Sequence, residues 1–223
     1  MKILLLNYPV DREVKRYVEK TPNSISKVNY LRQKQEPTYS FVILTLVLIL
    51  VNTGLAWVSE TFLRTGTEGV ALVYLAVASM ILFTLWFGAY GAIAAYVGSL
   101  LGGVLTSESI LQHPEIAVIW AVAGLLQVLI PLIAVRKFEV DLTLPNRRDW
   151  TIILLFAVLI NNLAGAAWGA FTLSLLGPVN VAGVFSTWLV SNIIITLLIV
   201  PLALRFLTKK VSRSKLFVKQ YWD

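Results

Sequence analysis

Hydropathy divides this chain into long uncharged runs separated by short charged ones. After a polar, basic segment at residues 1–38, the first apolar run covers residues 39–58 and carries Asn52 in its second half. A loop with Glu60, Arg64 and Glu68 follows, and then residues 70–105 hold no charge at all. That stretch is too long for one ordinary membrane span and suits two short ones, at about 1.5 Å rise per residue. The break is predicted near residues 86–90, where Trp86 and Tyr90 suit an interface and Gly88 permits a tight reversal. A loop with Glu108, His113, Pro114 and Glu115 leads to the fourth run, residues 116–135, with Gln127 inside it and a second break expected at Pro131. The fifth run, residues 150–172, contains Asn161, Asn162, Gly165 and Gly169; the sixth spans residues 181–204. The expected organisation is a basic segment at 1–38, a six-helix transmembrane domain at 39–204 and a basic tail at 205–223. The fold class is an all-α integral membrane bundle.

Charge sorts by loop. Lys and Arg number eight in residues 1–38, four in the loop 136–149 and six in the tail, while Arg64 alone falls in the three remaining loops. Eighteen of nineteen therefore lie on one side, which the positive-inside rule makes cytoplasmic. Both termini are expected there, and an odd number of spans would break the pattern. This sorting accounts for the +7 net charge without a nucleic-acid partner.

Composition agrees: 57% of residues are hydrophobic, 14% are charged, and mean hydropathy is +0.77. The absence of cysteine excludes disulfides and thiolate metal sites. The start, Met1-Lys2 before Ile3-Leu4-Leu5-Leu6, imitates a secretory signal, but Asn7 and Pro9 cut the apolar run short of the usual core of roughly 7–15 residues.

In the third run, Gly88, Gly91, Ala95, Gly98 and Gly102 recur at helical spacing. Small residues let a neighbouring backbone approach closely where lipid offers no hydrophobic drive for association. This helix-packing stripe places its helix at the centre of the bundle.

Candidate chemistry is sparse. No Asp, Glu, Lys, Arg or His lies inside any of the six runs as bounded above, which argues against a proton-coupled transporter or an intramembrane protease. No enzyme activity is expected. His113 beside Glu108 and Glu115 offers too few ligands for a metal site, and no cofactor is expected. The polar residues within the runs are more informative. Asn52, Asn161, Asn162, Ser186, Thr187, Trp188, Ser191 and Asn192 fall at mid-membrane or in the outer half. Two readings stand for them. One is hydrogen bonding between helices. The other is an outward-facing pocket in which amides and hydroxyls orient a small ligand and tryptophan stacks on it, with Asn192, Trp188, Thr187, Asn162 and Asn52 as its ligand-binding residues. Asn161 and Asn162 point about 100° apart on a helix, so at least one is expected to be structural. Trp57, Trp120 and Trp168 are expected at one interface and Trp86, Tyr90 and Trp150 at the other, as an aromatic belt.

Two stretches carry a family resemblance. The run WFGAYGAIAAYVGSLLG at residues 86–102 resembles the Gly/Ala-rich helix of the S components of energy-coupling factor transporters, and of the membrane-associated sensor domain found ahead of bacterial kinases and cyclases. The run TWLVSN at 187–192, with LLIVPL at 197–202, resembles the closing helix of both groups. The resemblance covers residues 40–207. An S component implies six helices in a prokaryotic cell membrane and an outward pocket for a vitamin-like or metal substrate. It also implies a transmembrane coupling protein and paired ATPases as partners. Docking on the coupling protein would use small residues of the first span, where this chain offers Gly54 and Ala56. The chain has no P-loop, so hydrolysis would belong to the ATPases. The alternative is a sensor or an assembly subunit of a larger membrane complex. For that reading the basic flanks would dock a cytoplasmic partner or anionic lipid.

Overall fold

Gly88 is the joint of the first half of the fold. In a computed structural model, which describes residues 39–66 and 70–218, it adopts φ 61° and ψ −130°, a conformation open to glycine and costly for any residue with a Cβ. Helix α2 (Leu75–Phe87) ends there and α3 (Ala89–Thr106) begins on the next residue. Little hydrogen bonding is lost at the turn: the Gly88 N–H donates to the Thr84 carbonyl at 2.9 Å and its own carbonyl accepts from Ala92 at 3.1 Å.

The remaining helices are α1 (Tyr39–Phe62), the short α4 (Glu108–Gln112), α5 (Pro114–Lys137), α6 (Arg147–Ser174) and α7 (Val181–Val211). No strand occurs among the described residues beyond an isolated antiparallel bridge between Arg64 and Ala71. Five helices (α1, α3, α5, α6 and α7) are long and apolar enough to cross a membrane, as in a multi-pass helical bundle. At 13 residues, α2 is apolar but shorter.

Helix α3 packs against α1, α2 and α5, while α6 and α7 complete the bundle against α5 and α2. The small-residue stripe divides between neighbours. Gly91 lies against the backbone of Phe83 and Thr84 in α2, whereas Gly98 and Gly102 receive Asn52 and Ala56 of α1. Ala95 is fully buried. Gly88 terminates a helix and so stands outside the stripe, because its backbone is not helical. Ala56 is thereby consumed inside the bundle, and Gly54 has open space around it.

Pro131 does not break its helix; α5 runs through it. Proline lacks the N–H that would bond the carbonyl four residues earlier. That carbonyl belongs to Gln127, and Asn161 Nδ2 of α6 donates to it at 3.3 Å. In α6 itself, Leu154–Ile160 is wound as a π-helix immediately before Asn161 and Asn162.

Two ends of the bundle can be told apart. At one, Trp86 Nε1 donates to Thr208 Oγ1 at 3.0 Å and the Val218 N–H to the Trp86 carbonyl at 3.0 Å. At this end too, Arg205 donates to the carbonyls of Thr143 and Leu144 at 2.9 and 3.1 Å. At the other end, the α1–α2 link folds back on itself: Thr65 N–H donates to Val70 O at 2.9 Å and Leu72 N–H to Leu63 O at 2.6 Å. Ser59 Oγ then accepts the N–H of Leu75, the first residue of α2, at 3.0 Å. This hairpin brings Val70, Ala71 and Tyr74 over the last turn of α1.

Candidate functional site

The last turn of α1 overturns one sequence-based expectation. The charge-free first run was bounded at residue 58, but α1 continues to Phe62 and carries Glu60 into the interior, where 6% of it is exposed. The carboxyl faces inward because it extends the face of α1 already marked by Leu48, Asn52 and Ala56, all buried at four-residue spacing. Glu68 lies outside the described residues.

Opposite Glu60 stand two tryptophans. Trp120 of α5 and Trp188 of α7 have ring centroids 6.0 Å apart, tilted at 58°. Each ring rests on a glycine, Trp120 on Gly103 of α3 and Trp188 on Gly169 of α6; a Cβ at either glycine would overlap the indole. Ala117, Ala166 and Ala170 fill the space beside them. Trp120 therefore sits in the core and not in an interfacial belt, and Trp86 likewise is buried against Thr208. Trp168 bonds the Ile119 carbonyl at 2.7 Å and Trp150 the Leu144 carbonyl at 3.1 Å, while Trp57 is half-exposed.

Asn192 lies one turn along α7 from Trp188 and is 1% exposed. Glu60, Tyr74, Trp120, Trp188 and Asn192 enclose a chamber of about 10 Å³, room for one water molecule. Four polar atoms of its walls have no hydrogen-bond partner among the described residues: Glu60 Oε2, Trp120 Nε1, and both Asn192 Oδ1 and Nδ2. Leaving a buried donor or acceptor unmade costs about 1–3 kcal/mol each, and such atoms are rare in native interiors. Four of them belong to residues that line one small space. Val70 also lines a cleft of about 210 Å³, together with Thr187, Asn180, Gly183 and Val184.

The other two residues singled out from sequence lie elsewhere. Asn162 is fully engaged: Oδ1 accepts from Gln127 Nε2 at 2.9 Å, and Nδ2 donates to Thr196 Oγ1 at 2.8 Å and to the Val158 carbonyl at 2.7 Å. No polar atom of Asn162 remains for a ligand. Asn161 reaches the same residue, Gln127, so the adjacent asparagines converge on one partner in α5. Asn52 is pressed between α1, α2 and α3, where its Oδ1 accepts from Ser79 Oγ at 3.3 Å beside Gly98. Its Nδ2 has no partner among the described residues.

The structure thus joins Asn192 and Trp188 in one chamber, puts Thr187 on the adjoining cleft, and separates Asn162 and Asn52 from both. Glu60, Trp120 and Tyr74 were not foreseen. His113 and Glu115 pair at 3.3 Å at the exposed start of α5, and no cluster of three metal-ligating side chains occurs among the described residues. No protein-family model matches the chain, and no curated protein or solved structure matches it.

Proposed function

We propose that the chain is the solute-capturing subunit of a membrane transporter, resembling an energy-coupling factor S component. It binds a small polar ligand where the chamber meets the cleft. Partner subunits, a coupling protein and cytoplasmic ATPases, supply the energy. The observation that carries this reading is the chamber itself, with four buried polar atoms left for a guest between two packed indoles. On this reading the helices cross six times, α2 included, in a prokaryotic cell membrane. The termini are cytoplasmic, as the placement of eighteen of nineteen Lys and Arg residues favours. Chamber and cleft then face outward, and the end held by Trp86, Thr208 and Arg205 faces inward.

The test is affinity purification of the tagged chain from its native membrane in mild detergent, with mass spectrometry of proteins and retained small molecules. Co-purified ATPase subunits and a retained solute are expected, with solute retention lost in Asn192→Ala. Recovery of a different membrane complex, with no solute, would turn the chain into a sensor or assembly subunit.

A further inference from the structure

The chamber also specifies the chemistry of its guest. We infer that it receives the –NH3+ head of a primary amine, with the rest of the molecule in the adjoining cleft; this rests on the solute-capture reading above. Among the described residues lining the chamber, Glu60 is the one acid, and none is Lys, Arg or His. A carboxyl taken out of water needs hydrogen-bond partners, and Glu60 Oε2 has none among the described residues. The opposing walls are indoles, whose faces attract cations more strongly than other aromatic rings.

Size narrows the class. A space of about 10 Å³ takes one water-sized group. An ammonium head fits; a trimethylammonium or a guanidinium does not. Glu60 Oε2 and Asn192 Oδ1 are free to accept two of its three N–H groups. Two donors then remain, Trp120 Nε1 and Asn192 Nδ2. The remainder of a primary amine needs more room than the chamber offers, and the cleft of about 210 Å³ that shares Val70 with it supplies that room beside Thr187 and Asn180.

The test uses the purified full chain in lipid nanodiscs, followed by the intrinsic fluorescence of its tryptophans. The probes are 2-aminoethanol, butylamine, butan-1-ol and tetramethylammonium chloride. Saturable responses to the two primary amines are expected, with the other two at least about tenfold weaker, as loss of a charge partner in a desolvated site requires. Glu60→Gln preserves shape and is expected to remove the preference for amine over alcohol; its melting temperature reports whether it folds. Equal responses to butylamine and butan-1-ol overturn the inference, as does an amine preference that survives in folded Glu60→Gln. A misfolded Glu60→Gln leaves the wild-type probe comparison to decide. Failure of the parent reading has a different signature: no solute retained from native membranes. A neutral solute lost in Asn192→Ala but kept in Glu60→Gln would preserve capture and remove the amine.

Discussion

Two polar regions lie one helical turn apart on α7, and their hydrogen-bond accounts differ. Around Thr196, every polar atom of Asn162 is bonded, Gln127 bridges from α5, and Thr196 itself donates to the Asn192 carbonyl at 2.7 Å. Around the Asn192 side chain, four buried atoms of three residues have no partner among the described residues. The residue types are similar: amides and a hydroxyl in one place, an amide, an indole and a carboxyl in the other. Satisfaction separates them. The first network ties three helices together through bonded side chains; the second leaves polar atoms unbonded in the apolar interior. Among the described residues Asn161 Oδ1 also lacks a partner beside the first network, so the two regions differ in degree, with more unmade bonds around Asn192.

The largest effect should come from the seat beneath the open region. Gly169→Val drives a side chain into the Trp188 indole, and about 3 kcal/mol or more of stability should be lost with the chamber, read by thermal unfolding in detergent. Next, Asn162→Ala leaves Gln127 Nε2 without its acceptor. It should lower stability by about 1–2 kcal/mol, in the upper range for hydrogen bonds between membrane helices, while leaving affinity for a retained solute unchanged. Asn192→Leu should do the reverse. Removing two unpaired buried atoms should raise stability by about 1 kcal/mol and abolish solute retention; a fall in stability would mean that Asn192 is helix glue after all. The smallest effect concerns Pro131. Asn161→Ala should cost about 0.5–1.5 kcal/mol alone but less than about 0.5 in a Pro131→Ala background, where the restored N–H takes over the Gln127 carbonyl. A double-mutant cycle with no coupling would remove that account.

How far this was legible in the sequence differs residue by residue. The turn at Gly88 was readable because residues 70–105 are uncharged over more than one span length, and glycine stood where a reversal was needed. Trp188 and Asn192 were readable as a pair because they share a helix face four residues apart. That one of Asn161 and Asn162 is structural followed from their angular separation, but Asn162 was assigned to the pocket, and its bonds to Gln127 and Thr196 lie in other helices that no local pattern names. Glu60 escaped because hydropathy ends a span at the first charge, whereas the helix ends where its hydrogen bonds do. Its four-residue spacing from Ala56 and Asn52 was the signal available. Trp120 was assigned to a belt from its position near the end of a run; its burial depends on Gly103 in another helix. The sharing of Gln127 by Pro131 and Asn161 joins residues thirty and more apart in sequence, and no local pattern records it.

The brevity of α2 bears on the membrane as well as on the protein. Thirteen residues rise about 20 Å, against a hydrocarbon core of about 30 Å. The hairpin tied to its first residue, and the chamber beneath that hairpin, are consequently drawn down below the plane of the headgroups on the solute-capture reading. A dip of this kind is relieved by local thinning of the bilayer, at a cost that grows with lipid chain length. The mouth of the site is then partly made of lipid, and thicker membranes load it with elastic stress that thinner ones do not.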